Sequence, residues 1–312
     1  VAALSFFKKE QPFIVHSHTP KAGTVGMLAA KLAGVPNRLH TVAGLPLLET
    51  DGNKRRLLNL VEKITYASAT KVYPNSNGLK EIILEEKFCK PGKLQVIGKG
   101  SSNGIDTEYF AHHAVSEEQK AKLIAELGIK SDDFVFIFVG RIVADKGINE
   151  LVKAFLKLQH KNCKLLLVGP FEKELDPLLP ETEKAIETNE NIITAGYQND
   201  VRSYFAISDC LVFPSYREGF PNVVMQAGAM GVPSIVSDIN GCNEIIAEGV
   251  NGIIIRPKST NAIFEAMLRL LEDVHLYSHL KQNAREMIVD RYQQALVWEA
   301  ILNEYRSLEN NV

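Results

Sequence analysis

The stretch Phe134-Val-Phe-Ile-Phe-Val-Gly-Arg-Ile-Val-Ala-Asp-Lys-Gly147 is an unbroken apolar run that stops at a glycine and opens into a charged loop. A run of strand length with no polar face predicts a strand buried on both sides. The helical pattern Ile148–Leu158 follows it directly. Working outward, the same alternation recurs. Strands are expected at Lys164–Val168, Asn191–Ala195, Cys210–Phe213, Pro233–Val236 and Gly252–Ile255, and helices at Val223–Ala229, Ala262–Leu271 and Leu276–Val289. Apolar strands separated by helices define a parallel sheet covered on both faces.

A shorter series precedes it. Strands are expected at Phe13–Val15, Arg38–Val42, Lys71–Tyr73 and Leu94–Ile97, and helices at Ala22–Ala33, Arg55–Ala67 and Leu79–Glu86. The Gly/Ser-rich stretch Gly98-Lys-Gly-Ser-Ser-Asn-Gly104 between the two series reads as a linker or hinge. The expected organisation is therefore an N-terminal domain over 1–106, a second domain over 107–290, and a C-terminal helix within 291–312. That helix carries an apolar stripe through Leu296, Trp298, Ile301, Leu302 and Tyr305, which needs a partner surface such as the first domain. A doubly wound domain of the dinucleotide-binding type uses five or six strands. The first series supplies about four, so its first strand and glycine-rich turn are expected to be absent.

Composition narrows the class. The chain has 312 residues, 46% hydrophobic and 23% charged, with 35 Lys plus Arg against 37 Asp plus Glu. That balance fits two globular domains and argues against bulk-charge binding of nucleic acid. No apolar run approaches the ~20 residues of a membrane span. The opening VAALSFFKKEQPF lacks the order of a signal peptide. Cys89, Cys163, Cys210 and Cys242 have no CxxC spacing and read as reduced thiols of a cytoplasmic protein, not as metal ligands.

Several residues stand where chemistry is expected. Arg141 and Lys146 follow a parallel strand's carboxyl end, where they suit a diphosphate; the plainer reading is a solvated loop with two cations. Glu218-Gly-Phe-Pro-Asn-Val-Val-Met-Gln226 reads as a turn into a helix, whose first amides suit an anion, with an ordinary Glu as the plainer alternative. If Glu218 and Gln226 both lay on that helix they would share one face about 12 Å apart. His16, His18 and His40 close the first two strands and could orient a substrate, though a lone histidine is more often structural. Gly23-x-x-Gly26 is read as a close helix–sheet approach. Lys54-Arg55-Arg56 reads as a solvated helix face, or as a contact with anionic lipid. His112-His113 reads as surface.

Taken in order, IVHSHTPKAG (14–23), LHTVAGLP (39–46), SSNGIDTEYF (101–110), FVGRIVADKGINEL (138–151), LLLVGP (165–170), ITAGYQNDV (193–201), VFPSYREGFPNVVMQAGAMGVPSIVSDINGCNEII (212–246) and NGIIIRP (251–257) resemble the retaining GT-B glycosyltransferases of family 4. The likeness covers nearly the whole chain and is closest to the bacterial capsule, exopolysaccharide and O-antigen enzymes. It implies an α/β GT-B fold, two Rossmann-like doubly wound domains facing a cleft, the N-terminal one incomplete. It also implies a nucleoside diphosphate sugar donor, a UDP-sugar favoured, and a sugar or lipid-linked acceptor. No cofactor or bound metal is implied.

By this resemblance Arg141 and Lys146 hold the diphosphate beside Gly140, and Glu218 contacts the donor sugar. The backbone of Gly219, Phe220, Pro221, Asn222 and Val223 meets sugar and phosphates. Gln226 takes the ribose in place of the family's second acid, a departure that weakens the bond. Tyr197 and Gln198 read the base, His40 stands near the transferred sugar, and His18 lies on the acceptor side. The expected location is cytoplasmic, or peripheral at the inner face of the cell membrane. Two alternatives stay open: a nucleotide-sugar epimerase on the same fold, and a non-catalytic nucleotide-sugar-binding subunit.

Overall fold

The structure, a computed structural model, describes residues 2–158, 162–174 and 176–309, so Val1 and the last three residues of the expected 291–312 segment lie outside it. The chain divides into two compact units, Val1–Gly104 with Ala295–Val312, and Ile105–Gln294.

The first unit opens with α1 (Ala2–Glu10), β1 (Ile14–Ser17), α2 (Pro20–Leu32), β2 (Asn37–Val42), α3 (Gly52–Ser68), β3 (Lys71–Pro74) and α4 (Asn77–Glu85). Its sheet is parallel, in the order β1-β2-β3. Pro20 stands in the first turn of α2, where a missing N–H costs nothing, and the Ser76 hydroxyl caps α4 by accepting from the Leu79 amide. Leu94–Ile97 does not form the fourth strand. A tight turn at Pro91–Lys93 and a second turn closing from Gly100 to Ile97 leave room for a single bridge, Val72 to Leu94.

The second unit contains α5 (Glu117–Glu126), β4 (Phe134–Val139), α6 (Ile148–Lys157), β5 (Cys163–Val168), α7 (Pro180–Thr188), β6 (Ile192–Gly196), α8 (Arg202–Ala206), β7 (Cys210–Phe213), α9 (Asn222–Ala229), β8 (Ser234–Ser237), α10 (Cys242–Ile245), β9 (Gly252–Ile255), α11 (Thr260–Glu272) and α12 (Val274–Tyr292). Its six parallel strands run β6-β5-β4-β7-β8-β9. Right-handed crossovers therefore place α6 and α9 on opposite faces, since the strand order reverses between β4 and β7. That is why β4 has no polar face: Phe136, Ile137 and Phe138 are fully buried in one continuous core.

The last helix, α13 (Gln294–Glu309), returns to the first unit. Leu308 and Tyr305 pack with Leu39 and Tyr73. Glu304 accepts hydrogen bonds from Lys71 at 2.6 Å, Tyr73 at 2.9 Å and Gln95 at 3.3 Å. The basic run at 54–56 is not uniformly solvated. Arg55 is half-buried and donates to Leu47 O, Asn59 and Glu86, closing the start of α3 onto the end of α4. His112 and His113 are exposed. Of the two glycines of α2, Gly23 makes the close approach and Gly26 faces open space.

Candidate functional site

The strand order reverses between β4 and β7, and loops leaving strands at such a point diverge to form the crevice where open α/β sheets hold ligands. The β4 loop runs through Gly140 and Arg141 to a short turn at Ala144–Lys146, then enters α6 at Gly147. Gly147 has φ +73° and passes so close to the β7 loop that a Cβ there would lie 2.2 Å from Pro214 O. Only glycine permits that approach, and it brings Lys146 against the β7 loop.

Lys146 Nζ lies 2.5 Å from Glu218 Oε1, with side chains 14% and 17% exposed. The same ammonium stands 5.9 Å from the centre of the Phe213 ring. Arg141 is exposed and pairs with Glu172 at 3.1 Å, so its guanidinium is free to exchange partners. Arg217 pairs with Asp145 at 2.9 Å, and the Tyr216 amide donates to Asp145 O, fastening one loop to the other.

Glu218 precedes α9 by a turn rather than lying on it, so the helical-face relation to Gln226 does not hold. The turn is held by Asn240, whose amide donates to Glu218 O and, at 3.2 Å, to Gly219 O. Phe220 is buried against Tyr292 at 5.3 Å between ring centres. Pro221 precedes α9 without a side-chain capping bond, and the amides of Asn222 and Val223 precede the first ladder bond, from Val224 to Pro221. They are therefore available to an anion. Gln226 is half-buried one turn further on. Tyr197 is exposed after Gly196 at the end of β6, and Gln198 folds back to donate to Ala195 O. A cavity of about 660 Å³, lined by Phe171, Lys173, Ile186, Asn189 and Thr194, runs along α7 and β6 and does not include the Lys146–Glu218 pair.

In the first unit three histidines gather where β1 ends beside β2, His40 lying opposite Ser17. His40 is 3% exposed, with Nδ1 2.8 Å from Ser17 Oγ and Gly23 against its ring. Burial pushes its pKa down to about 4, with the His18 charge adding to the fall. So enclosed a ring supports the strand end and does not present itself to a sugar. His16 is bonded at both nitrogens, to Tyr305 OH at 2.6 Å and Thr41 Oγ1 at 2.8 Å. Burial, with His18 and His40 nearby, lowers its pKa to about 3. His18 is exposed, its ring 4.2 Å from that of His16.

Sequence reasoning brought forward Lys146 and Glu218 but missed Asn240, Asp145 and Arg217, which hold them. The available signal was the loop segment at 238–244, whose Asn-Gly pair marks a turn opposite the Glu-Gly pair. Among the described residues, no group of three His, Cys, Asp or Glu is placed to hold a metal ion. No described helix is long and apolar enough to cross a membrane.

This arrangement belongs to a known class. Residues 119–287 match the glycosyl transferases group 1, and residues 1–100 match the glycosyl transferase 4-like domain. The chain is 36% identical over 305 residues to the capsular polysaccharide biosynthesis glycosyltransferase CapM of Staphylococcus aureus, covering 96% of this chain and 78% of that protein. It is 31% identical over 300 residues to the UDP-Gal:alpha-D-GlcNAc-diphosphoundecaprenol alpha-1,3-galactosyltransferase of Escherichia coli, covering 94% of this chain and 74% of that one. The fold matches Anabaena HepE in complex with UDP, with a TM-score of 0.83 at 19% identity over 98% of this chain and 81% of that one. The chain belongs to the group 1 glycosyltransferases, and its fold is GT-B.

Proposed function

We propose that the chain transfers a hexose-type sugar from a UDP-sugar to a sugar or lipid-linked acceptor, with retention, in cell-surface polysaccharide assembly. The observation that carries this reading is the Lys146–Glu218 pair at the reversal point of the second sheet. As the bond from anomeric carbon to phosphate breaks, negative charge grows on the diphosphate and positive charge on the sugar. Lys146, Arg141 and the Asn222 and Val223 amides answer the first. Glu218 accepts from sugar hydroxyls and faces the second. Arriving donor thus separates the pair, phosphate taking Lys146 and sugar taking Glu218.

In this reading Gln226 holds the ribose, Gly140 and Gly219 to Val223 line the donor with backbone, and Tyr197 and Gln198 border the base. The second unit is the donor side and the first the acceptor side, with His18 facing the acceptor and His40 acting as a positioning group. The relatives' names support the donor and acceptor classes, and the α linkage in the E. coli name is consistent with retention. Work at the inner membrane face is supported by α3, which exposes Leu57, Leu60 and Ile64 beside Lys54, Arg56 and Lys63.

The test is a thermal-shift panel of UDP-, GDP- and ADP-sugars, followed by transfer to an N-acetylglucosaminyl diphospho-alkyl acceptor with the product's anomeric coupling read by NMR. Stabilisation by a UDP-sugar and an α-linked product are expected. Conversion of the donor without acceptor, or an inverted product, would overturn the reading.

A further inference from the structure

A second polar site lies in the first unit. Parallel strands β1, β2 and β3 all end there, and a cavity of about 20 Å³ opens among His16, His18, Asn75, Ile97, Ser102 and Ile301. That volume admits a single oxygen-sized group. Two of its polar atoms, Asn75 Oδ1 and Ser102 Oγ, are buried without a hydrogen-bond partner. Asn75 is only 6% exposed. Burying an amide oxygen unpaired is unfavourable, and folded proteins leave few such groups unsatisfied.

The surrounding contacts hold this pair in place. The Asn75 amide donates to Val42 O, its carbonyl accepts from the Ser101 amide, and its side-chain Nδ2 reaches Ala43 O at 3.4 Å. Ser101 sits at φ +66°, a left-handed conformation that a serine adopts only at some cost, and this turn carries the chain directly into Ser102. His16 offers the cavity no free nitrogen, since Tyr305 and Thr41 occupy both. Its ring instead lies 4.2 Å from that of His18, another lining residue, while the lining hydroxyls of Thr41 and Tyr73 are bonded to His16 and Glu304.

The chemistry of the two orphans is complementary. Asn75 Oδ1 can only accept, whereas the Ser102 hydroxyl can donate. A hydroxyl group matches both kinds of orphan, since it can give its proton to Asn75 and accept from Ser102. Ile97 and Ile301 supply the apolar wall against which the carbon bearing that hydroxyl would rest. An anion would meet the Asn75 oxygen, and a cation would meet no carboxylate among the residues lining the cavity.

We propose that Asn75 and Ser102 form a subsite for one hydroxyl of the acceptor sugar and so help to decide which acceptors are used. This rests on the transferase reading above. The shared chemistry is a sugar hydroxyl, and the donor sugar or a fixed water are the competing sources. Ser102→Val fills the slot without adding charge, and Ser102→Ala removes the donor with little change of volume.

The experiment uses the whole chain, UDP-glucose or UDP-galactose as donor, and the N-acetylglucosaminyl diphospho-alkyl acceptor with its monodeoxy analogues. Thermal melts of each variant check folding. Ser102→Ala is expected to raise the acceptor KM about tenfold and Ser102→Val more, with the affinity for UDP unchanged. One monodeoxy acceptor should be used equally well by wild type and Ser102→Ala, because the hydroxyl that Ser102 holds is already gone. An unchanged acceptor KM in Ser102→Val, or equal sensitivity of every deoxy acceptor, would leave a structural water and overturn the subsite. A rise confined to the donor KM would overturn it in favour of the donor sugar. Absence of any transfer by the wild-type chain removes the transferase reading and the subsite with it, whereas transfer indifferent to Ser102 removes the subsite alone.

Discussion

Lys146 and Glu218 neutralise each other at 2.5 Å with little of either side chain in water, which separates their roles in stability and in chemistry. Removing one partner of so enclosed a pair leaves a charge without compensation, at a cost of about 3–5 kcal/mol, whereas removing both costs far less. Lys146→Ala should therefore lower the melting temperature and cut turnover by on the order of 10²-fold. Adding Glu218→Ala should restore the melting temperature while turnover stays low. If the double variant regains activity, Lys146 is a structural ion and nothing more. Glu218→Gln keeps a hydrogen-bond acceptor for Lys146, so binding of bare UDP should survive while transfer falls. Gln226→Ala should show the reverse, losing ~0.5–1.5 kcal/mol of UDP affinity, the net worth of a neutral hydrogen bond. Titration calorimetry with UDP on both variants tells the two residues apart, and interchanged results would mean the roles are assigned the wrong way round.

Helix α2 carries two glycines three residues apart whose surroundings are opposite. A Cβ on Gly23 would lie 2.3 Å from His40 Cε1, whereas Gly26 meets nothing within 4 Å. Glycine to alanine in an open helix gains roughly 0.5–1 kcal/mol, but forcing a methyl into a packed ring costs typically ~1–3 kcal/mol. Gly26→Ala should raise the melting temperature and Gly23→Ala should lower it. Equal shifts in urea midpoint would show that α2 does not press on His40. The sequence made the G-x-x-G spacing visible but not which glycine faced the sheet, because that depends on the ring of a residue seventeen positions away. Strand β4 was legible because burial on both faces leaves its mark on every residue. Leu94–Ile97 was misread because its apolar pattern is strand-like while the turns on each side leave room for one bridge. Helix α5 went unread although Ser116 and Gln119 form a capping box at its start. The Lys146 and Glu218 motifs were legible singly. Their pairing was not, since it arises from the crossing of two loops fixed by Gly147, Asp145 and Asn240.

Among the described residues, most histidines whose pKa burial lowers lie in the first unit, and this makes the two units answer differently to acid. His16 and His40 belong to the first unit, with pKa values lowered by burial to about 3 and about 4. In the second unit His112 is lowered as well, but it is exposed. An unfolded histidine takes up its proton near pH 6.5, so between that pH and about 4 the unfolded first unit binds protons that the folded one refuses. Stability therefore falls as pH falls through this window, by up to ~1.4 kcal/mol per pH unit for each histidine. By pH 5 the loss is on the order of 2 kcal/mol per histidine. Glu62, whose pKa burial raises, works in the opposite direction and blunts the fall at the acid end. The chain's single tryptophan, Trp298 on α13, lies in the first unit and is 56% exposed, which makes its fluorescence a reporter of that unit. Urea melts followed by Trp298 emission should shift to lower midpoint between pH 7.5 and pH 5.0. His40→Gln should reduce that shift by removing one of the protonation sites, with His16 and the more exposed His18 remaining. Saturating UDP should raise the midpoint of far-UV circular dichroism, since ligand bound to the folded second unit stabilises it by mass action. A Trp298 midpoint that does not move with pH would mean that His16 and His40 are protonated in the folded chain, and that the polar ends of β1 and β2 are more open to water than their burial indicates.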